Sequence, residues 1–478
     1  MIGRRTFLQA AAAAAAAGCA PRRDENAQPG TTDWMLSKTR TDASRVRCPW
    51  IEGFASRTSV RAGETIEFKV SANPPSAFVL DLYRMGWYGG AGGRHVARLG
   101  PFKGVPQPEP AVGPKRLLTC PWETSASLVV PSDWPSGVYL GKLTEERETL
   151  QSYVIFVVRD DRPCDLLVQV SDTTWAAYNR WPNVYSLYDD GTPPHAWYTG
   201  PGVAAGFDRP YGKYRQILDA PLSQGSGEFL LWEHPLAFWL EREGYDVSYV
   251  SNLDVHADPA CLRRAKAFLS VGHDEYWSIE MFENVRKAVD DGLHAAFLCG
   301  NSVDGLIDVR GRGFSRVGKF GAFEHEIRRY GGRWTRHGPD PATLMGARST
   351  FPYNGTADWT CAAPDHWLFE GTGMRAGDAV PGLVGWEHHG LPADLPGLEV
   401  VARGPVRSGG KPQGVDYTAT IHRGPKGNWI FNAATIWWPE GLAAPPGHLR
   451  PSAHGGTAPL PDVRVQRITK NLLARFLT

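Results

Sequence analysis

What this chain lacks narrows its role before any motif is read. Its 478 residues carry 51 Lys and Arg against 50 Asp and Glu, a formal net charge of +1. That balance gives no basic field to gather nucleic acid or anionic lipid, and it argues against a nucleic-acid partner. Beyond the N-terminus no apolar run approaches the ~20 residues of a membrane-spanning helix. The 7 Cys include no C-x-x-C pair, which removes a zinc ribbon. No internal repeat is present, so a solenoid or propeller is not expected.

Aromatic residues are plentiful instead, with 18 Trp and 16 Tyr. Most such rings fill cores, and some line ligand pockets. The length suits two or three domains with at least one large core.

Residues 1–19 read as an address rather than as fold. Arg4-Arg5-Thr6-Phe7-Leu8 resembles a twin-arginine export signal, and Ala10–Ala17 is too short to span a bilayer. Ala17-Gly18-Cys19 resembles a lipoprotein cleavage box, which would leave lipid on Cys19 and anchor the chain to a membrane. The expected location is periplasmic or cell-surface. Twin-arginine export moves folded proteins, which suits one that takes up a metal or cofactor before leaving the cytoplasm. In an oxidising compartment Cys48 and Cys120 are candidates for a disulfide.

Residues 20–42 are polar and read as a tether. Residues 43–160 are predicted to be all-β. Short alternating runs such as Thr65–Val70, Phe78–Tyr83, Ser127–Val130, Gly137–Leu140 and Tyr153–Val158 point to an immunoglobulin-like β-sandwich. Residues 161–478 change period. Strands are predicted at Leu166–Val170, Tyr245–Val250, Ala265–Val271 and His294–Leu298, with helices at Glu233–Glu243 and after Ser278. Strands alternating with helices imply an α/β domain with a parallel sheet covered on both faces. After residue 320 the pattern loosens into loops and antiparallel strands, including Asp416–His422 and Trp429–Ala433. Arg464–Leu477 is expected to be a closing helix.

In an open α/β sheet, ligands bind at the carboxyl ends of the strands. Three polar loops fall there. Asp172-Thr173-Thr174-Trp175-Ala176-Ala177-Tyr178-Asn179 follows the first strand of the α/β region. Gly272-His273-Asp274-Glu275-Tyr276-Trp277-Ser278 follows Ala265–Val271. Cys299-Gly300-Asn301-Ser302 follows His294–Leu298. Carboxylates, a histidine, phenols and an amide thus gather on one predicted edge. Glu275 and His273 stand two apart on a turn, so one can ligate a metal while the other handles a proton. A turn-capping role for His273 and Asp274, and a packing role for Tyr178, are the plainer readings. Cys299, between a strand and a glycine, suggests a thiol nucleophile, although no glycine stands two residues before it.

With those residues in view, the chain resembles the N,N-dimethylformamidase large (beta) subunit family. The matching segments are Thr174–Asn179 with Ser186-Leu187-Tyr188, Arg209-Pro210-Tyr211, Gly272–Ser278 and Gly300-Asn301. Tyr83–Gly90 in the β-region also looks like the family. The resemblance covers roughly residues 45–478. It implies a glutamine-amidotransferase-like α/β domain and one mononuclear ferric iron (Fe3+) held by two tyrosines and a glutamate. Tyr178 and Glu275 match two of these ligands. Tyr211 is the choice for the second tyrosine, with Tyr188 as its rival. His273 matches a histidine beside the ligands and Asn301 a substrate-side asparagine. Glu387 and Lys319 match further pocket residues. The function so implied is an iron-dependent hydrolase cleaving the C–N bond of a formamide-like or other small amide; the N-terminal signal makes it an exported one, which departs from the family. Two other readings stay open: a non-catalytic surface binding protein with a degenerate amidotransferase-like domain, and a thiol hydrolase using Cys299. Oligomerisation and a separate small subunit are also left open.

Overall fold

The computed structural model describes residues 25–42, 46–321 and 336–478. The export signal and Cys19 lie outside them. No helix among the described residues is long and apolar enough to cross a membrane.

Eight strands come first: β1 Glu52–Ala55, β2 Ser59–Arg61, β3 Thr65–Ser71, β4 Ser76–Met85, β5 Gly93–Gly104, β6 Ala126–Val129, β7 Gly137–Glu145 and β8 Gln151–Arg159. They form two sheets, ordered β1-β3-β6 and β2-β8-β7-β4-β5. Strand periodicity explains the pairing. In β3, Ile66, Phe68 and Val70 are buried while Glu67 and Lys69 between them are half-buried. Those apolar side chains meet Leu80, Leu82, Tyr139, Val154 and Phe156 in one core between the sheets. Each such side chain contributes about 1.5–3 kcal/mol by leaving water.

Two expectations fail here. Cys48 lies in that core, whereas Cys120 packs in a separate cluster with Phe54, Trp122 and Trp181, and both thiols are unbonded. The described part of the tether is docked rather than free. Trp34 is 1% exposed, its indole donates to Ala91 O at 3.0 Å, and its carbonyl accepts from Tyr153 Oη at 2.6 Å. An indole this apolar gains more from burial than a polar segment gains from freedom.

The chain then supplies β9 Cys164–Val170, β10 Ala204–Gly206, β11 Val247–Ser251, β12 Ala265–Gly272, β13 Tyr276–Trp277, β14 His294–Cys299, β15 Gly305–Arg310 and β16 Gly313–Lys319. It continues with β17 Ala347–Asn354, β18 Ala357–Thr360, β19 Ala379–Val384, β20 Glu387–Pro392, β21 Glu399–Ser408, β22 Lys411–Arg423 and β23 Trp429–Asn432. Seven of these form a sheet ordered β11-β9-β12-β14-β23-β22-β21. The first five are parallel, and β22 and β21 extend the sheet antiparallel. The expected mixed α/β architecture is therefore present.

Both faces of the sheet are covered, as a parallel sheet requires. Leu166, Val168 and Val170 of β9 face a core shared with the helix His234–Arg242, the closing helix Val463–Leu477 and the inner strands β7 and β8. Leu167 faces the opposite core with Met281, Phe282, Val285 and Val289 of the helix Ile279–Asp290. Ser278 starts that helix, accepting from Met281 N at 3.1 Å. Over the strand ends lies a small sheet, β10-β16-β15-β13, which sequence periodicity did not reveal.

Candidate active site

Strands β9, β12 and β14 run parallel in adjacent register, so their carboxyl ends open on one edge. The chain leaves β9 into the helix Asp172–Tyr178, whose last residue is Tyr178. Two threonines tie this helix to the turn after β12. Thr173 Oγ1 donates to Tyr276 O at 2.7 Å, and Thr174 Oγ1 accepts from Glu275 N at 3.0 Å and Tyr276 N at 3.2 Å.

The turn itself needs Gly272. Its φ is +69°, and a Cβ there would lie 2.5 Å from Trp232 Cβ. Asp274 then turns inward and anchors the bend. It accepts from Gln169 Nε2 at 2.7 Å, Ser270 Oγ at 2.7 Å and Asn252 Nδ2 at 3.0 Å. Glu275 points instead into a nest of phenols. Tyr178 Oη donates to Glu275 Oε2 at 2.5 Å, and Tyr188 Oη lies 3.3 Å from both carboxylate oxygens. The two phenol oxygens are 2.6 Å apart. Tyr276 Oη donates to Tyr188 Oη at 2.6 Å and accepts from Arg316 Nη2 at 2.7 Å.

His273 completes the group. Its Nε2 is 3.3 Å from Glu275 Oε2 and 3.1 Å from Glu387 Oε2, and its Nδ1 is 3.5 Å from Glu228 Oε2. These are close charge contacts rather than well-aligned hydrogen bonds, since neither ring nitrogen finds a hydrogen-bond partner. Lys319 Nζ lies 3.8 Å from Glu275 Oε1 and pairs with Asp304.

The electrostatics follow from burial and neighbours. Burial, reinforced by the Glu275 carboxylate, holds the Tyr178 and Tyr188 phenols well above their ordinary range. For Glu275, burial opposes charge, but His273 and Lys319 outweigh it and keep the carboxyl below its usual value. For His273 burial again opposes charge, and Glu228, Glu275 and Glu387 together raise the imidazole well above its normal range.

Tyr178, Glu275, His273 and Glu387, all named from sequence, thus meet in space. Tyr211 does not join them. It stands edge-on to Trp175 with ring centres 6.3 Å apart, and Tyr188 takes the place beside Tyr178 and Glu275. The reason lies in the loop between the two tyrosines. Leu187 N donates to Ala177 O at 2.9 Å, folding the loop back on the helix. The buried Arg209 guanidinium donates to the carbonyls of Trp181 at 2.9 Å, Tyr185 at 2.7 Å and Asn179 at 3.0 Å. Asn301 is directed to Ser349, whose Oγ donates to its Oδ1 at 2.7 Å, and it makes no hydrogen bond to Glu275. Cys299 is fully buried at the end of β14, and burial pushes its thiol up to about 12. That removes the thiolate a nucleophile needs. Glu228, Arg316 and Trp197 belong to the site and carried no sequence signal.

Among the described residues no group of three or more His, Cys, Asp or Glu is placed to hold a metal. The donors that do converge are two phenol oxygens and a carboxylate, with separations of 2.5 to 3.3 Å. The phenols are protonated as they stand, and a small, highly charged cation such as Fe3+ would displace those protons and take the hard, anionic oxygens so formed.

Fold and site together define a mixed α/β protein with a buried phenol–carboxylate centre at the ends of parallel strands. A family model described as N,N-dimethylformamidase beta subunit-like, C-terminal, matches residues 79–453, and the chain belongs to that family. No curated protein matches the chain.

Proposed function

We propose that the chain hydrolyses a C–N amide bond of a small molecule at the Tyr178–Tyr188–Glu275 centre. The convergence of these three donors, inside a chain of this family, carries the reading. They would hold one ferric iron, which when bound supplies a Lewis acid for an amide carbonyl and for water.

The remaining steps fall to the chain's own side chains. Thr174 and Asp274 fix the turn, so Glu275 presents its carboxylate in one orientation. His273, held protonated between Glu275 and Glu387, would give its proton to the leaving nitrogen and recover one from the attacking water. Water oxygen bonds to the carbonyl carbon, the C–N bond breaks, and the nitrogen leaves protonated. The products are a carboxylic acid and an amine. Asn301 is assigned to the substrate side by the resemblance alone.

The same proposal takes residues 43–160 as an immunoglobulin-like module and 161–478 as an amidotransferase-like domain. It includes export through Arg4-Arg5 with lipid at Cys19, outside the described residues. Turnover of a panel of amides by protein from iron-replete cells tests it. Activity that follows bound iron and disappears in Glu275→Ala supports the reading. Iron-loaded protein that cleaves no amide in the panel contradicts it and favours a binding role.

A further inference from the structure

A cavity of about 270 Å³ lies against the phenol cluster and reaches it through Tyr178 and Glu228. That volume sits just below the roughly 300–1,000 Å³ of typical small-molecule pockets. It exceeds what a formamide with two methyl groups would fill. Its lining is arranged in three zones.

The walls are aromatic. Trp175, Tyr211 and Tyr214 line it, and so does Trp197. Trp197 is 58% exposed yet stacks on Tyr188, with ring centres 3.9 Å apart and planes 18° from parallel. An indole held in water over a site residue offers a flat face to a ligand.

The inner end is acidic. Glu228 is 3% exposed, its Oε2 accepts from Trp232 Nε1 at 2.8 Å, and its Oε1 is buried with no hydrogen-bond partner. A buried carboxylate oxygen left unpaired is costly, and an amide N–H would satisfy it.

The rim is basic. Arg180 and Arg215 both line the cavity and are exposed, and neither has a hydrogen bond or ion pair with any described residue. The third base there, Lys213, is neutralised by Asp219 at 2.6 Å. Guanidinium groups hold carboxylates in a two-pronged geometry, and two free ones at an aromatic cleft make a carboxylate site.

We infer that the cavity selects secondary amides carrying a carboxylate on the amine side, the chemical class of N-acylated amino acids. This rests on the amide-hydrolase reading for its reaction but not for its binding. The N–H meets Glu228, the side chain lies against Trp175 and Trp197, and the carboxylate meets Arg180 and Arg215. Glu228 repels a carboxylate from the inner end, so only one orientation is favourable. Hydrolysis would then release a free amino acid and a carboxylic acid.

Calorimetric titration of the full chain with N-acetylphenylalanine and with its neutral amide, N-acetylphenylalaninamide, tests the inference. The acid should bind about tenfold more tightly. The Arg180→Ala/Arg215→Ala double variant should lose that preference while binding the neutral amide unchanged. Equal binding of the two ligands by the unaltered chain overturns the inference, as does a preference that survives the double substitution. Turnover is scored separately. Preferential binding without cleavage supports the site and counts against hydrolysis alone.

Discussion

Tyr178 and Tyr188 stand ten residues apart in the chain, yet their phenol oxygens are 2.6 Å from one another and both reach Glu275. The contact joins the end of a helix to a loop that has no regular structure. It requires that loop to return on itself, and Arg209 holds it there through four backbone carbonyls. The site is therefore as well placed as its least regular segment.

The first expected outcome concerns the Tyr83–Gly90 motif, which lies far from the cluster in sequence. Arg84 forms a buried pair with Glu241 at 2.8 Å and donates to Tyr88 Oη at 2.8 Å. A Cβ at Gly86 would collide with the Glu241 carboxylate. The motif is thus a staple between β4 and the helix His234–Arg242. Glu241→Ala leaves Arg84 buried and unpaired, and should cost about 3–5 kcal/mol in denaturant unfolding. A cost near zero would show that the pair contributes only geometry.

A second outcome concerns pH. Glu145 is fully buried, and its carboxylate accepts from Glu148 N at 2.8 Å, Leu150 N and Arg147 N at 2.9 Å, and Ser76 Oγ at 3.0 Å. Burial opposes its charge, and these donors outweigh burial and lower its pKa below the ordinary 4.5. Its stabilisation is therefore complete above the unfolded-state value and is lost as pH falls through the lowered folded value. Unfolding midpoints measured between about pH 6 and about pH 3 should fall less steeply in Glu145→Gln than in the unaltered chain. The variant itself should lose about 1–3 kcal/mol near neutrality. An unchanged pH slope would remove Glu145 from this role.

A third outcome separates the thiol reading from the metal reading. Cys299 lies in the core with Phe268, Trp277 and Phe297, so iodoacetamide should not label it in the folded chain. Cys299→Ala should retain amide turnover and lose only about 1 kcal/mol of stability. Labelling of Cys299 in the native state with loss of turnover would restore the nucleophile.

Much of this could be read in the residues. Ala265–Val271 and His294–Leu298 announce buried parallel strands because they are apolar on both faces. Their polar loops then had to share an edge, which brought His273, Glu275 and Tyr178 together. Ser278 and Gly292 bound the intervening helix by ordinary capping chemistry. Other features left no local trace. Strand β13 has two residues, too few for any period. The return of Tyr188 depends on Arg209 reaching carbonyls between 24 and 33 residues away, which no pattern encodes. Tyr211 was the more attractive phenol because it ends a compact Arg-Pro-Tyr motif, yet that motif's arginine does the positioning and its tyrosine lines the cavity. Trp34 opens the short apolar run Trp34-Met35-Leu36, which packs on the core but is too brief, inside a polar segment, to show a period.

The central claim is that Tyr178, Tyr188 and Glu275 together hold iron. It is tested most directly by metal analysis and visible absorption of the purified unaltered chain beside Tyr188→Phe and Tyr211→Phe. The unaltered chain should carry a single iron and a phenolate-to-ferric absorption band. Tyr188→Phe should weaken iron retention by about tenfold to a hundredfold and shift or abolish the band, while Tyr211→Phe leaves both intact. Metal-free, colourless protein from iron-replete cells, or a band lost with Tyr211 and kept without Tyr188, would contradict the account.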